Sequence, residues 1–248
     1  MKIHGTAKGG ALSKKDFGVA FGGAAANGCF FTSDFTEDNW SDLGNQSANG
    51  GDDYSSTSIV SDKLRITSNS SGADAAGAVA ITQMSAGLGT SWNIRFNYTT
   101  GSSFTSGGNS FLWVGVTSDS TYTSSQGADS QEGDACFWRW HMSSGDNNLA
   151  NRTVDDGSNT GCSSCQSGVT WADDTTYYWE LTYDNETFSS IQWDATYDNQ
   201  IGTTTIVSNA GLTGMDYLLV GTPKDGAVGV WTIDINEIKV NDGSTDPC

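Results

Sequence analysis

Three carboxylates in TYYWELTYDNET, Glu180, Asp184 and Glu186, come nearest to the paired acids that glycoside cleavage needs. A hydrolase strand would place its acids two residues apart so that all share one face. Here the spacing is four and then two, with Asp184 expected in a turn, so the set does not line one face. Asp234, Asn236 and Glu237 miss the spacing as well, and the chain is expected not to be an enzyme. The two histidines are His4 and His141. A Ser-His-Asp or Cys-His site would have to use His141, and no Gly-x-Ser-x-Gly elbow accompanies it.

His141 belongs to DACFWRWHM, where strand alternation puts Cys136, Trp138, Trp140 and Met142 on one face and Phe137, Arg139 and His141 on the other. The simpler reading is one core face, with Arg139 and His141 directed to solvent or a neighbouring strand. The sharper reading is a glycan platform carrying Arg139 and His141: a tryptophan face stacks on sugar C–H groups while Arg, Asp and Asn bind hydroxyls, and the acidic loop of Asp129, Glu132 and Asp134 with an exposed Trp171 forms its rim. Acidic pairs at Asp52-Asp53, Asp155-Asp156 and Asp173-Asp174 offer the hard oxygens calcium prefers. None fits a D-x-[DN]-x-[DN]-G loop, and turn chemistry accounts for the same residues. Calcium therefore stays open, with no other cofactor expected. Cys162-Ser-Ser-Cys165 lacks the second pair that zinc requires and the βαβ setting of a redox motif, so it reads as a small loop disulfide. Five cysteines leave at least one unpaired or bridging to another subunit, and Cys136 on the apolar face is the candidate free thiol.

The elements that must position these residues are strands. From Cys29 onward, short alternating apolar runs are separated by turn clusters, and helix signals are nearly absent. Strands are expected near 29–35, 57–67, 77–84, 91–99, 110–117, 135–142, 148–153, 176–184, 187–195, 216–222 and 228–240. SWNIRFNYT points Trp92, Ile94, Phe96 and Tyr98 one way, with Asn93, Arg95 and Asn97 on a wet face. TYYWELTYDN forms a hairpin through an Asp184-Asn185 turn. SFLWVGV is apolar on both faces, as in a mid-sheet strand. A register change in GVWTIDINEIKV predicts a bulge at Asn236-Glu237.

Composition narrows the partners. The 248 residues carry 11 Lys+Arg against 29 Asp+Glu, a net charge of −18 that opposes phosphate backbones and anionic lipid. Nucleic acid is not an expected partner, and no apolar stretch approaches the roughly 20 residues of a membrane helix. Nine Trp, eight Tyr and ten Phe point to a packed fold. Residues 1–28 differ from the rest: they are Gly/Ala-rich and hold Lys2, Lys8, Lys14 and Lys15 with Phe17. This segment reads as a basic arm suited to linking acidic subunits, and it lacks the continuous apolar stretch of a secretory signal. The division expected is 1–28 arm and 29–248 β domain.

FTSDFTEDNW, SDKLRITSN, TTYYWELTYDNETFSSIQW, MDYLLVG and VWTIDINEIKV, in this order, resemble concanavalin A-like or laminin G-like jelly-roll modules over residues 29–241. The opening MKIHGTAKGGALSKKDFGVAF resembles the N-termini of structural proteins of marine phages and related viruses, most specifically from Gly5 to Phe17. The resemblance implies an antiparallel two-sheet β-sandwich. It also implies a bridge between Cys29 and Cys248, because terminal strands pair in such modules. A non-enzymatic virion component follows, a capsid decoration or tail part at the virion surface or outside the cell, linked to copies of itself or other virion proteins through its arm and contacting host glycans. Two other readings stand beside it: a lectin-like binding module, and a filament subunit assembling by strand addition.

Overall fold

Alternation sets the strands. In SWNIRFNYTT, Trp92, Ile94, Phe96 and Tyr98 are all buried on one face, and in TYYWELTYD the same holds for Tyr177, Trp179, Leu181 and Tyr183. The two strands pair antiparallel, with Leu181 opposite Ile94 and Trp179 opposite Phe96, so aromatic and branched side chains fall in register. The computed structural model describes residues 29, 31–36, 40–42, 54–70, 78–104, 110–119, 134–143, 146–155, 158–161, 166–167, 171–202, 204–208, 212, 214–222 and 229–243. The expected arm, at 1–28, lies outside them.

Among the described residues, sixteen strands form two eight-stranded antiparallel sheets. Sheet A runs β14 (Thr205–Ser208), β13 (Thr187–Trp193), β12 (Thr176–Asp184), β6 (Ser91–Thr100), β16 (Gly229–Asn241), β4 (Leu64–Ser70), β3 (Tyr54–Ile59), with β1 (Phe31–Ser33) beside the end of β16. Sheet B runs β10 (Ser158–Gly161), β9 (Asp146–Asp155), β8 (Ala135–Ser143), β7 (Ser110–Thr117), β15 (Met215–Thr222), β5 (Ala78–Leu88), β2 (Ser41–Asp42), with β11 (Gln166–Ser167) on β9. SFLWVGV is the middle strand of that order, as its two apolar faces predict. The described residues include no helix long and apolar enough to cross a membrane.

Three sequence expectations shift. The run 57–67 is not one strand but the β3–β4 hairpin, because Ser61 and Asp62 both take positive φ (51° and 58°) and reverse the chain. The β12–β13 turn falls one residue later than expected, on Asn185 and Glu186 (φ 44° and 73°), so Asp184 is the last residue of its strand. The wet face of β6 is polar but not open: Asn93 is fully buried there. The bulge in β16 is where the pattern placed it, between Ile235 and Glu237.

The sheets close on an aromatic core. Trp138 lies 4.8 Å from Trp179 and 5.4 Å from Phe96, centroid to centroid, and Trp140 lies 4.2 Å from Trp171. A polar link crosses between the sheets: Asn151 donates to the Thr205 carbonyl at 2.9 Å and accepts from the Ser190 hydroxyl at 2.8 Å. With both partners present, a buried amide fixes how β9 sits against β13 and β14 at little cost.

Burial raises the phenols of Tyr98, Tyr177, Tyr183 and Tyr197 above their ordinary value, Tyr183 to about 12. The folded chain therefore holds these protons more tightly than the unfolded chain. Stability is intact below the unfolded phenol value near 10 and is lost as pH rises from there toward 12. Denaturant midpoints measured at unit steps from pH 9 to 12 are expected to fall in that window. Phenolate absorbance should stay below the eight-tyrosine total until unfolding, and a flat midpoint would contradict this placement of the rings.

Candidate functional site

Of the residues expected to form a glycan platform, Arg139, Asp134 and Trp171 are not brought together. Arg139 is on the outward face of β8, opposite Trp113 of β7 and Ala150 of β9. Trp171 is not an exposed rim: it is 6% accessible and packs inside the sandwich against Trp140, Tyr177 (4.6 Å) and Tyr98 (6.3 Å). A loop tryptophan beside two inward-facing strands gains more by joining their core than by facing water. Asp134 works through its main chain, donating to Ser118 Oγ at 3.0 Å and accepting from the Ser118 amide at 2.9 Å, which ties the start of β8 to the end of β7. The His141 side chain, Asp129, Glu132, Lys2, Lys8, Lys14, Lys15, Phe17, Cys162, Cys165 and Cys248 lie outside what the structure describes.

The surface around Arg139 is apolar. Val79, Ile81, Trp113, Phe137, Val154 and Leu219 form a second cluster on the face of sheet B turned away from the core. Trp113 and Phe137 are 5.3 Å apart at 38°, and both are buried, so neither ring offers a free stacking face. Gly115 makes room for this, because a side chain there would come within 2.8 Å of the Phe137 ring.

Cys136 is a free, buried thiol, pushed well up by burial and then by the nearby Asp134 charge, which makes it a poor nucleophile. Cys29 is disulfide-bonded, and its pairing partner is not among the described residues. No three His, Cys, Asp or Glu among the described residues come together to hold a metal ion. Asp173 and Asp174 shape a turn, with the Asp173 carbonyl accepting from Thr175 at 2.8 Å and Asp174 at φ 50°. Asp52, Asp53 and Asp156 of the other acidic pairs lie outside the described residues.

A polar constellation on the outward face of sheet A is bonded largely within itself, with the side-chain oxygens of Asn93 and Asn236 left without a partner. Arg65 binds Asp234 through two hydrogen bonds of 2.7 and 2.8 Å. Arg95 donates to Glu180 at 3.0 Å and lies 4.8 Å from the Tyr197 ring centre. Asn236 donates to Asn97 and Thr99 at 2.8 and 3.1 Å. The loop bearing Tyr197 is shaped by Asp194, which accepts from Asn199, Thr196 and the Asp198 amide. These bonds, that from Asn199 first, hold its carboxyl down at about 2.

A cavity of about 300 Å³ is lined by Thr67 and Ser68 of β4, by Ser102 and Ser103 of the turn after β6, and by Val230, Trp231 and Thr232 of β16. Register builds it: Thr67 pairs with Thr232 and Ser68 with Trp231. The Gly101 amide donates to the Thr232 carbonyl at 2.9 Å, which docks the serine turn against β16. A side chain at Gly101 would collide with Thr232, so this close approach needs glycine. Phe104 anchors the turn from below, 4.6 Å from Trp140 and 6.1 Å from Trp231. Trp231 is buried, yet its indole N–H has no acceptor, whereas Val230 is 62% exposed. No charged residue among the described ones lines the cavity. The sequence hid it because serine and threonine are everywhere in this chain; the one local signal was Gly-Ser-Ser-Phe directly after a strand.

Two antiparallel sheets around an aromatic core, with no helix among the described residues, define a legume-lectin-like, concanavalin A-like jelly-roll sandwich. The solved structures it is similar to bear this out. One is the exoplasmic/lumenal domain of VIP36 in its Ca²⁺/Man3GlcNAc-bound form, at 9% identity and TM-score 0.59, covering 87% of this chain and 89% of that one. Another is the CBM2 module of the evolved Dit of Lactobacillus casei BL23 phage J-1, at 9% identity and TM-score 0.59, covering 88% and 96%. A third is the legume lectin-like domain from Entamoeba histolytica, at 10% identity and TM-score 0.55, covering 82% and 89%. At such identities the likeness is one of fold. No protein-family model matches the chain, and no curated protein matches it in sequence.

Proposed function

We propose that the chain is a non-enzymatic glycan-binding jelly roll carried on a virion surface, with residues 1–28 as its attachment arm. The observation that carries the glycan half is the cavity at one end of sheet A, whose described lining is hydroxyl-bearing and apolar without charge. Sugar-bound VIP36 and the phage carbohydrate-binding module support it as relatives in fold. The virion half rests on the phage module and on the N-terminal resemblance. The non-enzymatic half rests on the carboxylates: Glu180 is held by Arg95 and Asn93, and Asp184 accepts from Ser91 at 2.6 Å and from Asn185 at 2.9 Å. A net charge of −18 would keep arrayed copies soluble.

The test is a glycan array probed with the full chain, with the bound glycans then analysed for cleavage. Retention of neutral glycans, intact, is the expected result. No retention removes the glycan reading, and cleaved products remove the non-enzymatic one. Mass spectrometry of purified particles checks the location, and absence of its peptides there removes it.

A further inference from the structure

We propose that residues 14–21 of one copy's arm dock on the outward face of β13 and β14 of a neighbouring copy, with Lys14 and Lys15 against the acidic 184–186 turn and Phe17, Val19 and Phe21 laid along β13. This rests on the reading of residues 1–28 as an attachment arm and names the partner of that arm. The receiving surface is open. β14 is the outer strand of sheet A, and alternation along it turns Thr205 and Val207 inward and Ile206 and Ser208 outward. Ile206 is 59% exposed and sits opposite Ser189, in an outward row that continues through the half-buried Ile191 and Trp193. Ile201 is 63% exposed beside the Trp193–Gln200 bridge, so two of the three exposed large apolar side chains among the described residues lie at this edge. Sheet edges are ordinarily guarded by charges or proline. The run from Asn199 to Met215 contains neither, in a chain whose net charge is −18.

Charge selects the occupant. The turn that joins β12 to β13 places Asp184 and Glu186 in solvent, and neither forms an ion pair among the described residues. The arm holds Lys2, Lys8, Lys14 and Lys15, four of the 11 basic residues, against Asp16 alone of the 29 acidic ones. Attraction between a basic segment and an acidic body draws the arm to such a turn. Spacing then sets the register. Phe17, Val19 and Phe21 recur every second residue, the period of an extended chain with one apolar face. Lys14 precedes Phe17 by three residues, and Glu186 precedes Ser189, across from Ile206, by the same interval. With the lysines on the turn, the row 17, 19, 21 therefore overlies the row 189, 191, 193 step for step. A chain's own arm reaches this surface only if drawn taut. β16, β6, β12 and β13 separate β1 from β14, about 24 Å, and the stretch from Cys29 back to Phe21 spans at most about 29 Å. An arm from a neighbouring copy has no such constraint.

Sedimentation equilibrium of the full chain, over a range of concentrations, reads its mass against that of one copy. Beside it run Ile206→Lys, the pair Lys14→Glu/Lys15→Glu, and that pair combined with Glu186→Lys. Ile206 and Glu186 are exposed, so an unchanged urea midpoint should show that the fold is kept. The expected result is self-assembly of the full chain, weakened about tenfold or more by Ile206→Lys and by the lysine pair, and largely restored when Glu186→Lys is added to that pair. A chain that stays monomeric, an assembly indifferent to either change, or a failure of Glu186→Lys to restore it overturns the inference. The same variants are scored for incorporation into purified particles. Loss of the lysine-pair variant from particles that still take up Ile206→Lys leaves the arm reading standing and overturns this inference. A monomeric chain with both variants incorporated normally overturns both.

Discussion

Replacing Trp138 with alanine is expected to lower the unfolding free energy by about 3–5 kcal/mol, the range for emptying a large aromatic site in a core that cannot collapse around it. Trp138 is fully buried in the middle of the sandwich, with rings on several sides: Trp179 at 4.8 Å, Phe96 edge-on at 5.4 Å and Tyr98 at 6.2 Å. Those neighbours belong to β6 and β12 across the core, so both sheets would lose contacts at once. The check is a urea titration reading the midpoint at unchanged slope. Trp138→Phe refines it. The indole N–H of Trp138 has no hydrogen-bond acceptor. Phenylalanine keeps most of the ring area and removes that donor, so its loss should be clearly smaller than alanine's. Equal losses for the two variants would mean that ring packing is not what holds this position.

The pattern of legibility follows from range. Period-two alternation fixed the inward faces of β6, β7 and β12 because it is a property of neighbouring residues. The Ser61-Asp62 reversal was missed because neither residue is the Gly or Asn that usually marks two consecutive positive-φ positions. Strands such as β2 and β11, two residues each, are too short to show a period and exist through pairing with β5 and β9. The candidate site was harder still. Trp171 precedes a strand in a polar stretch, and only the packing of Trp140 and Tyr177 around it shows that it belongs to the core. The cavity brings together residues near positions 67, 102 and 231, a convergence set by the β4–β16–β6 order and absent from any local window.

The same dependence on distant partners separates a structural carboxylate from a catalytic one, and Glu180 is where the difference can be measured. Glu180 accepts from Asn93 at 2.6 Å and from Arg95 at 3.0 Å, partners 87 and 85 positions away in sequence. The Arg95 and Glu180 side chains are only 19% and 12% accessible, so this pair is shielded enough for its loss to leave a poorly solvated cation. Glu180→Ala is expected to cost about 3 kcal/mol, the lower end for breaking a buried pair by removing one partner. Glu180→Gln keeps the volume and one acceptor for Asn93 and should cost less. The double variant Arg95→Ala/Glu180→Ala should be more stable than the two single losses add up to, because removing both charges leaves neither stranded. Additive losses would mean the pair is not coupled. If Glu180 instead served hydrolysis, Glu180→Gln would abolish glycan cleavage while leaving stability nearly unchanged. A folded, stable and newly inactive Gln variant is thus the result that would return Glu180 to catalysis.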